Sequence, residues 1–350
     1  MGLTLLSGMW WLSCLLAIGS VGLMLCLIAL RLVADRWHRA AEQRRGLVLQ
    51  CLLSGTDADR LVPLIAHPLT TRELGNLITE LSTLIRGADF HNAIERLDHA
   101  GATDRLLKML RTGKREERLI ACEALAHFRQ ERVAERLFHS AATANSLRVR
   151  IAACRALLQM GNRPALPQVL DWIRMENRPV PVEVSAMLLQ MVDYAEQDMI
   201  LRIQDDRDNA YVRAAMIWSL AVSGRYSALP LFEQLAAHPE AAIRTAAIQA
   251  IAEIGFATDL TVLTARLGDE DADVRETAAR ALGRIGGNDV IPHLSHLLND
   301  QVWDVRYQAA NALADLGTEG LAVLTEAAGG NAAESRVQTA ALVHAERAGL

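Results

Sequence analysis

The pattern of apolar and polar positions changes character once along the chain. From Trp10 to Leu30 the run WWLSCLLAIGSVGLMLCLIAL has no charged residue. Beyond residue 46, apolar positions recur three or four residues apart, the spacing of helices with one buried face. The first pattern predicts a transmembrane helix, since about 20 apolar residues in a helix span the roughly 30 Å hydrocarbon core. Trp10 and Trp11 stand at one end of the run and Trp37 just past the other, as interfacial aromatics do. A cleaved signal peptide would need a basic leader and a small-residue cleavage site. Residues 1–9 hold no Lys or Arg, and the apolar run meets Arg31 directly. The expected division is an anchor over residues 1–34 and a basic collar over 35–45.

The second pattern is a repeat. DADVRETAARALGRIGG (271–287) and QVWDVRYQAANALADLGT (301–318) share a V-R-x-x-A-A-x-A-L frame. The frame recurs at 240–255, 209–224 and 147–161, with weaker copies at 117–128 and 335–349. A degenerate copy, VEVSAMLLQMVDY (182–194), has Glu183 in place of the Arg. The motif arginines are Arg118, Arg150, Arg213, Arg244, Arg275, Arg306 and Arg336, and with Glu183 they fall 30 to 33 residues apart. Apolar residues at offsets 3, 4, 7 and 10 from the Arg make one helical stripe. Gly161, Gly224, Gly255, Gly286 and Gly317 follow as left-handed C-caps. A shorter helix precedes each motif helix, as in SALPLFEQLAA (227–237). One such pair cannot bury its own face, so the pairs are expected to stack. The predicted architecture is all-α: a single N-terminal transmembrane helix, then an α-solenoid of about eight helix pairs over 101–350. Residues 46–100 lack the motif and are read as a divergent helical cap.

This frame resembles the HEAT family, and in particular its short bacterial form, the PBS-lyase-type HEAT-like repeat. The resemblance covers residues 101–350 and implies the solenoid fold. It leaves function open, because such repeats serve as scaffolds, adaptors and enzymes alike. With five Arg (Arg31, Arg36, Arg39, Arg44, Arg45) against Asp35 and Glu42 just after the span, the positive-inside rule puts the N-terminus outside and the repeats in the cytoplasm. The implied setting is a bacterial inner membrane.

Composition narrows the classes further. Of 350 residues 51% are hydrophobic but only 4% aromatic, which suits stacked helices and not a β-sandwich. The net charge of −5, and −8 over residues 46–350, count against a nucleic-acid partner. Cys51, Cys122 and Cys154 show no pairing pattern, and the last two fill equivalent small-residue sites of the repeat, a packing role. His293 and His296 are spaced as a metal pair but have no third ligand in view. Asp205, Asp206 and Asp208 lack the Gly and terminal Glu of a calcium loop. No nucleotide-binding or hydrolase motif occurs, so neither a cofactor nor a metal is expected, and the motif arginines are read as turn locks paired with nearby Asp271, Asp273 or Asp304.

Offsets 5 and 9 from the motif Arg point away from the packed stripe, onto the face expected to line the groove. In most copies these positions are polar, for example Gln249/Glu253 and Arg280/Arg284. Counted from Glu183 and Arg213, two adjacent copies instead present Leu188, Val192, Trp218 and Val222, with Ser185 and Ala215 extending a patch of low polarity. Such a patch is expected to dock a protein partner, and Trp303 is a second candidate contact. The chain is therefore expected to be a non-catalytic, membrane-anchored adaptor. A cofactor-attachment enzyme of the bilin-lyase kind, suggested by the resemblance, and a self-associating structural protein are the rival readings.

Overall fold

The computed structural model describes residues 20, 24, 31, 46–52, 61–63, 65, 71–173, 180–205 and 209–329. Most of the predicted anchor and collar, with Trp10, Trp11, Arg36, Trp37 and Arg39, and the last repeat with Arg336, lie outside them. Arg31 is exposed. Among the described residues no helix is long and apolar enough to cross a membrane. The chain divides into two compact units, Met1–Met160 and Gly161–Leu350. Regular structure in both, among the described residues, is helical throughout.

In unit 1, α1 (Thr71–Leu84), α2 (Ala88–His99) and α3 (Ala102–Thr112) precede α4 (Arg115–Leu125). α5 (Glu131–Thr143) and α6 (Leu147–Gln159) follow. The motif helices α4 and α6 pack on one another, and α1 packs on α4. Gly75 makes that last contact possible, because a side chain there would run into Ile120. The cap is thus stitched to the first motif helix by a helix without the motif. Cys122 and Cys154, four residues after their arginines, have no solvent exposure. Burial pushes both thiols up to about 12, Arg118 and Arg150 opposing it.

In unit 2, α7 (Leu166–Ile173) is followed by α8 (Val182–Gln204) and α9 (Ala210–Val222). The next pairs are α10 (Leu229–Leu235) with α11 (Ala241–Ile254), and α12 (Thr261–Thr264) with α13 (Ala272–Ile285). The last are α14 (Ile291–Leu297) with α15 (Trp303–Asp315), then α16 (Thr318–Gly329). Motif helices α8, α9, α11, α13 and α15 stack in sequence order. Each buries the residue before its Arg (Val212, Ile243, Val274, Val305) and the stripe behind it. Gly283 lets α13 and α15 approach: a Cβ there would sit 2.7 Å from the Cα of Ala312. Pro230 and Pro292 fall in the first turns of α10 and α14, where no intrahelical donor is lost.

Two expectations about helix ends are revised. Gly255 closes α11 at φ 75° as a left-handed cap, but Gly286 is extended (φ −79°, ψ 163°). Gly286 is needed for space instead, since a Cβ would lie 2.5 Å from the Leu282 carbonyl and 2.8 Å from Val290. The degenerate copy has no closing Gly because it does not close. α8 runs on through a kink at Ala195 (φ −120°, ψ 15°) and supplies the first helix of the following pair.

Candidate functional site

Arg150, Arg213, Arg244, Arg275 and Arg306 are structural, though not by the pairing expected. Arg213, Arg244 and Arg306 are 1, 5 and 6% exposed, so they form no ladder for a solvent anion. Side chains on a helix lean toward its N-terminus, which brings the guanidinium groups of Arg150, Arg244, Arg275 and Arg306 onto carbonyls of the preceding turn. Arg244 Nη1 donates to the His238 and Pro239 carbonyls at 3.0 and 2.8 Å. Arg275 Nη1 donates to Asp269 and Glu270 at 2.9 and 3.2 Å. Arg306 Nη1 donates to Asp300 and Gln301 at 2.7 and 3.1 Å. Arg150 makes one such bond, to the Ala144 carbonyl at 3.1 Å.

The carboxylate partner comes from the next repeat. Arg244 Nη2 donates to Asp269 at 2.7 Å, and Arg275 Nε and Nη2 grip both oxygens of Asp300 at 2.8 and 3.0 Å. Asp271, expected to pair with Arg275, instead accepts from the Asp273 and Val274 amides as the cap of α13. Burial works to raise the Asp269 and Asp300 carboxyls. Their guanidinium partners, neighbouring amides and adjacent charges outweigh it, and both stay below the ordinary carboxylate range. The hydrogen bond to Asp300 raises Arg275 in turn.

The apolar patch is smaller than the sequence suggested and sits on one helix. Leu188 and Val192 are 0 and 1% exposed and Ala215 is buried, so these three belong to the core. The reason is register. Val184, fully buried, takes the place of the Val or Ile that precedes each motif Arg, so Ser185 and not Glu183 occupies the Arg position. Offsets 5 and 9 then fall on Gln190, exposed, and Tyr194, half-buried. The Tyr194 hydroxyl donates to the Pro164 carbonyl at 3.1 Å, and Arg163 lies 5.6 Å from its ring. Ser185 is half-buried and accepts from Ser219 Oγ through its carbonyl.

Trp218 and Val222 remain as expected, 40 and 39% exposed one turn apart on α9. Tyr211, two turns before Trp218 on the same face, is 36% exposed. Sequence reasoning missed it because it precedes the motif Arg, outside the offsets compared. On the next helices the equivalent positions are polar: Glu253 of α11 pairs with Arg284 of α13 at 3.3 Å, and Arg280 with Glu276. Trp303 is 45% exposed at the start of α15 and stacks on Tyr307 with centroids 5.0 Å apart. Among the described residues no group of three or more His, Cys, Asp or Glu is arranged to hold a metal ion. Asp206 and Asp208 lie outside them.

No curated protein matches the chain. Among solved structures, an engineered protein is 18% identical with a TM-score of 0.36, covering 88% of this chain and 99% of its own. Kap121p is 14% identical at a TM-score of 0.37, over 89% of this chain and 46% of its own. A chain of the complex of CpcE and CpcF of phycocyanin lyase from Nostoc sp. PCC7120 is 17% identical at 0.29, over 73% of this chain and 93% of its own. The sequence profile of HEAT repeats matches residues 103–190, 198–274 and 260–344. With that profile running through more than half of the chain, over helix pairs locked by a recurrent arginine, the chain belongs to the HEAT-repeat family.

Proposed function

We propose that this protein is a non-catalytic adaptor that holds a protein partner at a bacterial inner membrane. Residues 1–34 would anchor it, with the repeats in the cytoplasm. The uncharged stretch from Trp10 to Leu30 and the arginine collar behind it support the anchor and its orientation. The partner, a membrane enzyme or a component of export or signalling, would dock an apolar helix or loop on the α9 face. One observation carries the docking reading: Trp218 and Val222 are exposed at positions that the two following repeats fill with Gln, Glu and Arg. An exposed Trp with aliphatic and aromatic neighbours inside a polar rim is the composition of binding hot spots.

The test is affinity purification of the tagged full chain from detergent-solubilised membranes, beside a Trp218→Ala/Val222→Arg variant with unchanged circular dichroism. A partner captured by the wild type and lost from the variant is the expected result. A partner retained by the variant moves the docking site elsewhere. Capture of the untagged chain alone would replace the adaptor with self-association.

A further inference from the structure

Three motif arginines, Arg118, Arg244 and Arg275, each border a small recess. Two recesses of unit 2 carry their own anions. One is lined by Arg244, Asp269 and Glu270, the other by Arg275 and Asp300. In both, the aspartate stands 25 residues after its arginine. The equivalent recess of unit 1 is a cavity of about 450 Å3 bordered by α3, α4 and α5 around Arg118. The residue in the place of Asp269 and Asp300, six positions before the next motif Arg in a repeat one residue longer, is Ala144, next to Thr143 of the lining. Its carbonyl accepts from Arg150 as those of Asp269 and Asp300 accept from Arg275 and Arg306, so a methyl group stands where the other recesses have a carboxylate. Half-buried Arg118 makes a single long hydrogen bond among the described residues, 3.5 Å to Ser140 Oγ.

Further basic side chains close around this gap: Lys108 and Arg111 from α3, Arg136 and His139 from α5. Each pair is spaced three residues apart and so shares a helix face. The one carboxylate in the lining, Asp104, is engaged 2.7 Å away by Arg132, which is not part of the cavity wall. Among the described residues no carboxylate lies within 4.0 Å of Lys108, Arg111, Arg118 or Arg136. The surroundings match: residues 101–160 hold twelve Lys and Arg against six Asp and Glu, in a chain that has 36 against 41.

We propose that this recess binds the phosphate group of an anionic ligand, which takes the place of the missing carboxylate. A single carboxylate would neutralise one of the four permanent cations. A phosphate carries more charge and several acceptor oxygens, and guanidinium forks fit it in bidentate fashion. The Ser140 hydroxyl adds a donor on the α5 side. A soluble phosphorylated compound and the headgroup of an anionic phospholipid present the same group. The site is in unit 1 and does not depend on the α9 docking face, so either can fail alone.

The experiment is calorimetric titration of the detergent-solubilised full chain with inositol hexakisphosphate. A parallel titration sets short-chain phosphatidylglycerol against phosphatidylcholine of the same chain length. Saturable binding of the first probe identifies a soluble ligand, and a preference for phosphatidylglycerol alone identifies a headgroup. Either should weaken at least tenfold in Arg111→Ala/Arg136→Ala and stay unchanged in Arg280→Ala/Arg284→Ala. Ala144→Asp supplies the internal carboxylate of the other repeats, so it should abolish binding while raising the melting temperature. Three results overturn the proposal: no saturable binding of either probe, an equal loss in the Arg280/Arg284 variant, or full binding by Ala144→Asp.

Discussion

A guanidinium as deeply buried as that of Arg244 has to find its counter-charge inside the protein, because leaving it unpaired would cost several kcal/mol. The fold meets this twice over, with carbonyls of the preceding turn and an aspartate one repeat further on. Arg275 with Asp300 is the most complete instance, two charge-assisted bonds between side chains 15 and 11% exposed. Asp300→Asn keeps the volume and one acceptor but removes the charge. It should lower stability by about 1–3 kcal/mol, the range for hydrogen bonds to charged groups. The measurement is a shift of the urea midpoint at unchanged slope. Local reading of the sequence could not find this pair. Asp271 and Asp273 are nearer in the chain, and the 25-residue separation becomes contact only when repeats stack.

At the scale of the helix, the difference between the copies read correctly and the one misread is a register of two residues. Each residue turns an α-helix by about 100°. Aligning Glu183 instead of Ser185 with the motif Arg therefore rotates the inferred faces by about 200°, turning core into surface. Where Val or Ile stands directly before Arg, as at Val212, Ile243, Val274 and Val305, the inward and outward positions were legible from periodicity alone. In α8 a Val stands on either side of Glu183, and only burial distinguishes Val184 from Val182, which is 75% exposed. The consequence is testable. Leu188→Ala empties a packed site and should cost about 2–5 kcal/mol in chemical denaturation. Trp218→Ala on the open face of α9 should change stability by less than about 1 kcal/mol. Equal, small losses at both positions would restore the original register.

Across the whole molecule the charge is divided much as the structure is. Residues 1–160 hold 21 Lys and Arg against 15 Asp and Glu, and residues 161–350 hold 15 against 26. The net charge of −8 over residues 46–350 hides this division. Both depressed carboxylates that staple one repeat to the next, Asp269 and Asp300, belong to unit 2. A carboxyl held lower in the folded state than in the unfolded chain contributes stability that is fully present above its unfolded value, near 3.9. That contribution is lost as the pH falls through the folded value. In a stacked array such losses stay near the interfaces that carry them. Amide hydrogen exchange should therefore show protection in α11, α13 and α15 steady from pH 7 to 5 and falling below about 4. An Asp269→Asn/Asp300→Asn variant should begin with lower protection in these helices and follow a flatter course with pH. In α4 and α6 the two proteins should trace the same curve, because Ala144 stands where the staple would be and no titration there distinguishes them. If the variant altered the acid response of both units alike, the stabilisation would be a diffuse effect of net charge and not the work of these two pairs.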